Sequence, residues 1–241
     1  MSGKRGGIFV TGTGTDVGKT YVAALIVKKL RERGFDAGYY KPALSGAEVL
    51  PKSGELLAGD AAHVCAVSGL DRESNSLVSY IYKTPVSPHF ASRLEGKPIR
   101  LEKLKEDFAT ARDKFSFLTV EGCGGIVCPL CMDETEENGQ GRLLLEDVIA
   151  AFGLGVLIVA DSGLGTINAV TLTAEYARQK GITVKGIIFN RYEPDNLMHS
   201  DNINAVELLT GIKVIARVPA GVDDLGFDAD RLAELYAYGN E

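Results

Sequence analysis

A short apolar run, Ile8–Thr11, is followed directly by Gly12-Thr13-Gly14-Thr15-Asp16-Val17-Gly18-Lys19-Thr20, and that by an amphipathic stretch, Lys19–Arg33. The order strand, glycine-rich loop, Gly-Lys-Thr, helix constrains this chain more than any other feature. It requires a strand whose carboxyl end opens onto a helix N-terminus, the arrangement of a P-loop. The standard spacing is Gly, four residues, then Gly-Lys-Ser/Thr. Counted back from Gly18, that first place falls on Thr13; the glycine is Gly12, so the loop is one residue longer. The chemistry still suits a polyphosphate, because successive backbone N–H groups and the helix N-terminus both favour anions. Lys19 is placed to reach the β- and γ-phosphates, and the Thr20 hydroxyl to ligate Mg²⁺. The plainer alternative is a strand–helix turn that binds nothing, and the full context weighs against it.

Other short apolar runs are expected to be strands: Gly38–Lys41, Phe117–Glu121, Val156–Asp161, Val184–Asn190 and Val214–Val218. Most lack alternation, as strands buried on both faces do. Between them lie expected helices at Ala58–Ser68, Pro88–Leu94, Leu101–Lys114, Leu144–Phe152, Ile167–Lys180, Asn202–Leu209 and Asp230–Tyr238. This alternation predicts an α/β fold: a mostly parallel β-sheet with helices on both faces, P-loop NTP hydrolase-like, as a single domain over residues 1–241.

The 241 residues include 26 Lys and Arg against 32 Asp and Glu, a net charge of −6. That balance argues against a general nucleic-acid or anionic-membrane binder, though not against an anion held in one pocket. No apolar run approaches the ~20 residues that cross a bilayer. The start, Met1 to Gly7 and then only Ile8-Phe9-Val10, is too little apolar length for a secretory signal. Four cysteines do not make a disulfide scaffold. The expectation is a cytoplasmic protein with reduced thiols.

Ligands of such sheets bind beyond the carboxyl ends of the strands. Here those ends carry polar residues that a core would not select. Lys41 closes one run; it points toward the phosphate loop or is an ordinary surface lysine, and position alone leaves both open. Asp60 begins a helix, as an N-cap or as a Mg²⁺ ligand brought to Thr20. Glu121, followed by Gly122-Cys123-Gly124-Gly125, stands where nucleotide hydrolases place a metal- or water-holding acid. Asn190, followed by Arg191, can read a purine edge or form a turn; the Lys-x-Asp of guanine-specific switches is missing, so adenine is favoured. Cys123, Cys128 and Cys131 share a plant-type iron–sulfur spacing, but the fourth would have to be Cys65, upstream. They read as small buried residues.

These residues together resemble the dethiobiotin synthetase family. The match rests on Val10-Thr11-Gly12 through Gly18-Lys19-Thr20, Tyr40-Lys41-Pro42 with Ser45-Gly46, and Asp60. It continues with Thr84-Pro85-Val86-Ser87-Pro88-His89, Val120-Glu121-Gly122 with Gly124-Gly125, Gly163-Leu164-Gly165-Thr166-Ile167-Asn168, and Asn190. The longer P-loop is the form this family uses. The resemblance implies that CO₂ is joined to 7,8-diaminononanoate and a cyclic urea closed, with ATP going to ADP and phosphate. A carbamate forms on one amine, attacks the γ-phosphorus, and the resulting carbamic–phosphoric anhydride is opened by the second amine.

The resemblance also implies the roles. Lys41 and Lys19 are catalytic cations. Thr20, Asp60 and Glu121 hold Mg²⁺. Thr15 and Ser45 bond the diamine or its carbamate beside Lys41. The nucleotide is held by Thr15, Asp16, Val17, Gly18, Lys19, Thr20 and Tyr21. Gly122, Cys123 and Gly124 allow its close approach, and Asn190, Arg191, Pro219, Ala220 and Gly221 border the base. Family members are homodimers, which places Gly165, Thr166 and Asn168 on the substrate carboxylate across the interface; helix capping is the alternative reading of Thr166 and Asn168.

Two rival families fit this sequence less well. Cobyrinate- and cobyrate-amidating ligases carry a glutamine-hydrolysing domain for which 241 residues leave no room. A MinD/ParA-like dimeric switch ATPase carries an extra lysine early in the loop, where this chain has Thr13 and Gly14, and often a membrane- or DNA-binding tail, where this chain is short and acidic from Asp230.

Overall fold

The computed structural model describes residues 6–132 and 141–236. The expectations for Met1–Arg5, for most of the acidic stretch Asp133–Gly141 and for the last residues of the tail lie outside the described residues.

β1 (Gly6–Gly12) leads through the loop into α1 (Lys19–Glu32) and then β2 (Ala37–Ser45). A small antiparallel pair, β3 (Glu48–Val49) and β4 (Leu56–Leu57), precedes α2 (Gly59–Ser68). A 3-10 turn (Ser74–Leu77) enters β5 (Val78–Tyr82), followed by α3 (Pro88–Leu94), α4 (Leu101–Lys114) and β6 (Phe117–Glu121). A second antiparallel pair, β7 (Pro129–Met132) and β8 (Arg142–Leu144), opens onto α5 (Leu145–Phe152). The remainder alternates: β9 (Val156–Asp161), α6 (Thr166–Gln179), β10 (Val184–Asn190), α7 (Leu197–Thr210), β11 (Val214–Val218) and α8 (Ala229–Glu234).

Seven strands form one sheet in the order β11-β10-β9-β1-β6-β2-β5, and every neighbouring pair is parallel. This is the predicted α/β architecture. β1 lies in the middle and is buried along its whole length. The chain turns to one side of it for β6 and β2 and to the other for β9, so the order reverses beside the phosphate loop. That reversal opens a crevice at the carboxyl ends of the strands, where α/β sheets take their ligands.

The pleat decides which side chains enter the crevice. Successive strand residues face opposite sides. Tyr40 packs on the Phe108 ring of α4 and the Phe152 ring of α5. Its neighbours Tyr39 and Lys41 therefore face the other way, toward α1 and α2. In β6, Thr119 and Glu121 share that side, and Thr119 is hydrogen-bonded to Tyr236 just beyond α8.

The structure differs from the sequence reading in five respects. β5 was not expected, nor were the two antiparallel pairs. β2 runs on to Ser45, through Pro42. This is possible because β2 leaves β6 after Tyr40 and then pairs with β5 alone, so the missing N–H of Pro42 breaks no β6 ladder. α7 starts at Leu197 instead of Asn202, because the Asn196 side chain caps it, accepting from the N–H groups of Met198 and His199. α8 ends at Glu234, short of the expected Tyr238.

Candidate active site

Beyond the carboxyl ends of β1, β2 and β6 lies a cavity of about 870 Å³. The phosphate loop supplies one wall through Thr15, Asp16, Gly18, Lys19, Thr20 and Tyr21; Lys41, Ser45, Asp60 and the Glu121–Gly124 turn supply the other. Fourteen of the expected residues thus border one space, since Arg191 joins them.

Its centre is an ion cluster. The Lys41 ammonium lies 2.7 Å from Glu121 Oε1 and 2.9 Å from Asp60 Oδ2. The Thr20 hydroxyl donates to the same Glu121 oxygen at 2.7 Å, and Tyr39 OH donates to Oε2 at 2.6 Å. Lys41 is 3% exposed and Glu121 1%, so Lys41 is no surface lysine. Burial alone would pull its ammonium down, but Glu121 and Asp60 outweigh burial and the net shift is upward. Lys41 is therefore a fixed cation at neutral pH and not a proton acceptor. Lys19 is pulled down from the usual lysine range by burial and then by the Lys41 charge; its ammonium donates to the Gly14 carbonyl at 2.8 Å.

Asp60 does not cap α2. The cap position is Ala58 without a side-chain bond, and the Asp60 carboxylate turns to Lys41. The capping alternative also fails for Thr166 and Asn168. α6 is capped by Gly165 with no side-chain bond, and the buried Thr166 hydroxyl has no partner. Gly165, Thr166 and Asn168 stand outside the large cavity.

The base-side residues divide. Asn190 is buried behind the loop; its Nδ2 donates to the Val17 carbonyl at 3.0 Å, while Oδ1 is buried without a partner. Pro219 and Ala220 border a separate hollow of about 790 Å³ with Tyr192–Met198. Gly221 precedes Val222, whose carbonyl accepts from Tyr21 OH. Cys123 lies on the cavity wall. A hydrogen bond from Cys128, whose Sγ is 4.0 Å away, holds its thiol below the usual range against the opposing effect of burial.

Sequence reasoning missed three residues here. Tyr39 resembles any core aromatic, and only the β2–β6 register brings it to Glu121. His63 borders the cavity from α2. Asp161, at the end of β9, pairs with Arg191. Tyr39→Phe is expected to destabilise the protein by about 1.5–3 kcal/mol, because it removes a buried bond to a carboxylate; chemical denaturation measures it, and an unchanged midpoint would contradict the assigned bond.

A family model described as "AAA domain" matches residues 6–223. A curated ATP-dependent dethiobiotin synthetase BioD of Clostridium perfringens (strain 13 / Type A) is 44% identical over 229 residues, 95% of this chain and 97% of the relative. Its counterpart in Clostridium botulinum (strain 657 / Type Ba4) is 47% identical over 196 residues, 81% of this chain and 83% of the relative. The chain belongs to the ATP-dependent dethiobiotin synthetase family. Among solved structures, a ParA family ATPase from Chlorobium tepidum TLS has a TM-score of 0.53 at 15% identity, covering 96% of this chain and 93% of that one. The MinC:MinD cell division protein complex of Aquifex aeolicus has a TM-score of 0.55 at 12% identity, with 96% and 94% covered. These two share the fold with this dethiobiotin synthetase family member. No helix among the described residues is long and apolar enough to cross a membrane.

Proposed function

We propose that this chain is a cyclo-ligase that makes dethiobiotin from 7,8-diaminononanoate, CO₂ and ATP, as a step of biotin biosynthesis. The observation that carries the reading is the meeting of Thr20, Lys41, Asp60 and Glu121 at one point beside the Lys19 loop.

The reaction brings two anions together, the substrate carbamate and the γ-phosphate of ATP. Repulsion between them is the barrier that the site must lower, and fixed cations in a water-poor pocket do this at little reorganisation cost. Lys19 and Lys41 are those cations. Lys41 holds the carbamate oxygen facing the γ-phosphorus, with Thr15 and Ser45 bonding the diamine or carbamate. Attack gives the carbamic–phosphoric anhydride and ADP; the second amine then attacks the anhydride carbon, closes the urea ring and expels phosphate.

The donor set suits Mg²⁺. Two carboxylate oxygens already converge on one cation, the Lys41 ammonium, and the Thr20 hydroxyl shares one of them; hard oxygen donors of this kind are what Mg²⁺ accepts. Thr20, Asp60 and Glu121 would hold it, and it would neutralise charge on the β- and γ-phosphates. The Asp16–Thr20 backbone takes the phosphates. The spare Oδ1 of Asn190 is an acceptor for an adenine amino group, with Arg191 and Pro219–Gly221 nearby.

A homodimer and a cytoplasmic setting complete the proposal. Support for the dimer comes from Val127, Leu164 and Leu172, large apolar side chains left exposed. Val127 and Leu172 border a hollow of about 550 Å³ shared with Thr13, Gly14 and Gly125 of the loop region. Asn168→Ala is expected to raise the diamine KM roughly tenfold, the worth of one bond to a charged group, while the ATP KM stays within about twofold. An effect confined to ATP would remove Asn168 from the carboxylate.

The deciding assay supplies diamine, bicarbonate and Mg-ATP to the purified protein and follows product mass. A new cyclic urea with equimolar ADP supports the reading; nucleotide hydrolysis alone would turn it toward the switch ATPases.

A further inference from the structure

Among the described residues, two other than glycine have a positive φ: Asp16 at 61° and Arg191 at 54°. One hydrogen bond joins them, from Arg191 Nη2 to the Asp16 carbonyl at 2.7 Å. The other end of the guanidinium, Nη1, lies 2.6 Å from Asp161 Oδ2. The second oxygen of Asp161 accepts from the Gly163 N–H at 3.0 Å, so the carboxylate is held at both oxygens. Next to Arg191, Asn190 takes the following loop carbonyl, that of Val17. The carboxyl ends of β9 and β10 thus grasp two consecutive carbonyls of the loop after β1.

All peptide bonds described are trans. In a trans peptide the C=O of one residue and the N–H of the next point in opposite directions. With the Asp16 and Val17 carbonyls held on the β10 side, the N–H groups of Val17 and Gly18 are turned away from it. Consecutive N–H groups turned the same way form a concavity for an anion.

We infer that Arg191, braced by Asp161, is a positioning residue of the phosphate loop: with Asn190 it holds the Asp16 and Val17 carbonyls so that the Val17 and Gly18 N–H groups face the bound phosphates. This rests on the triphosphate-binding part of the proposed function and assigns Arg191 a role other than contact with the base. The pair is half exposed, 50% and 45% for the two side chains, so it contributes little to stability. Its value lies in loop geometry.

Charge and geometry predict opposite signs at Asp161. On charge alone, removing an anion near the loop tightens phosphate binding. If Asp161 acts by bracing Arg191, removing it loosens binding. Titration calorimetry of the full chain without diamine, with Mg-ATP, Mg-CTP and inorganic tripolyphosphate, separates the two. Asp161→Ala, Arg191→Ala and Arg191→Lys are each expected to weaken all three ligands by a similar factor, roughly five- to tenfold. The double Asp161→Ala/Arg191→Ala variant should be no weaker than Arg191→Ala, since both remove one unit, and all should melt close to the wild type. Tighter or unchanged binding by Asp161→Ala would overturn the brace, as would wild-type binding by Arg191→Lys. A loss limited to Mg-ATP would return Arg191 to the base. Failure of the wild type itself to bind Mg-ATP would instead strike the proposed function.

Discussion

Lys41→Ala is expected to lower turnover by on the order of 10²–10³-fold, the usual cost of removing one pre-organised donor from a site that stabilises developing charge. Affinity for Mg-ATP should stay nearly unchanged, because the loop backbone, Lys19 and Thr20 are untouched. The variant also exposes what Lys41 does in the resting protein. It neutralises Glu121, which is 1% exposed, and Asp60 beside it. Removing one partner of a buried pair leaves a charge uncompensated, at about 3–5 kcal/mol. The variant should therefore melt lower than the wild type without metal and recover much of the difference in Mg²⁺, as a divalent cation takes over the two carboxylates. Single-turnover assays and melting curves with and without Mg²⁺ measure both effects. Near-normal turnover in the folded variant would end the catalytic assignment of Lys41.

Gly18→Ala is expected to abolish useful nucleotide binding, with a loss on the order of 10²-fold or more. Two independent effects combine. The residue has a φ of 89°, where a side chain costs about 1–3 kcal/mol. Its Cβ would also lie 2.0 Å from Asn190 Nδ2, so Asn190 must move and release the Val17 carbonyl. The damage falls on the peptide groups that face the phosphates, and the strain should also lower the melting temperature by roughly 2–4 °C per kcal/mol. Binding by Gly18→Ala close to wild type, in calorimetry with Mg-ATP, would contradict the loop geometry.

Much of this arrangement was legible in the chain because it is local. Apolar runs of four to seven residues marked the strands β1, β6, β9, β10 and β11, and an amphipathic stretch marked α1. The loop announced itself because a glycine-rich turn between strand and helix has few other uses. The polar ends Lys41, Glu121 and Asn190 stood out because each interrupts an apolar run at the strand end where ligands bind. β5 escaped because Ser79 interrupts it and its middle residues Ser79, Tyr80 and Ile81 are only half buried. It therefore shows no solid apolar run. The two small antiparallel pairs are too short to have a period.

The site was harder to read wherever a role depends on two distant residues meeting. Lys41 and Asp60 each carried a plausible ordinary reading, and neither could be discarded until α2 was seen to bring the carboxylate to the lysine. Tyr39 gave no signal at all, and Asp161, though a polar strand end, gave none of its pairing with Arg191.

By itself, then, the amino-acid order determined the class of fold, the loop that takes phosphate and the strand ends where polar groups gather, since propensity, periodicity and turn chemistry act over a few neighbouring residues. Only the tertiary structure decided that Thr20, Tyr39, Lys41 and Asp60 all meet Glu121, and that Asp161 reaches the loop through Arg191. Those contacts depend on strand register and on the reversal of strand order beside β1, which are set by how the whole sheet packs and leave no trace in any short stretch of sequence.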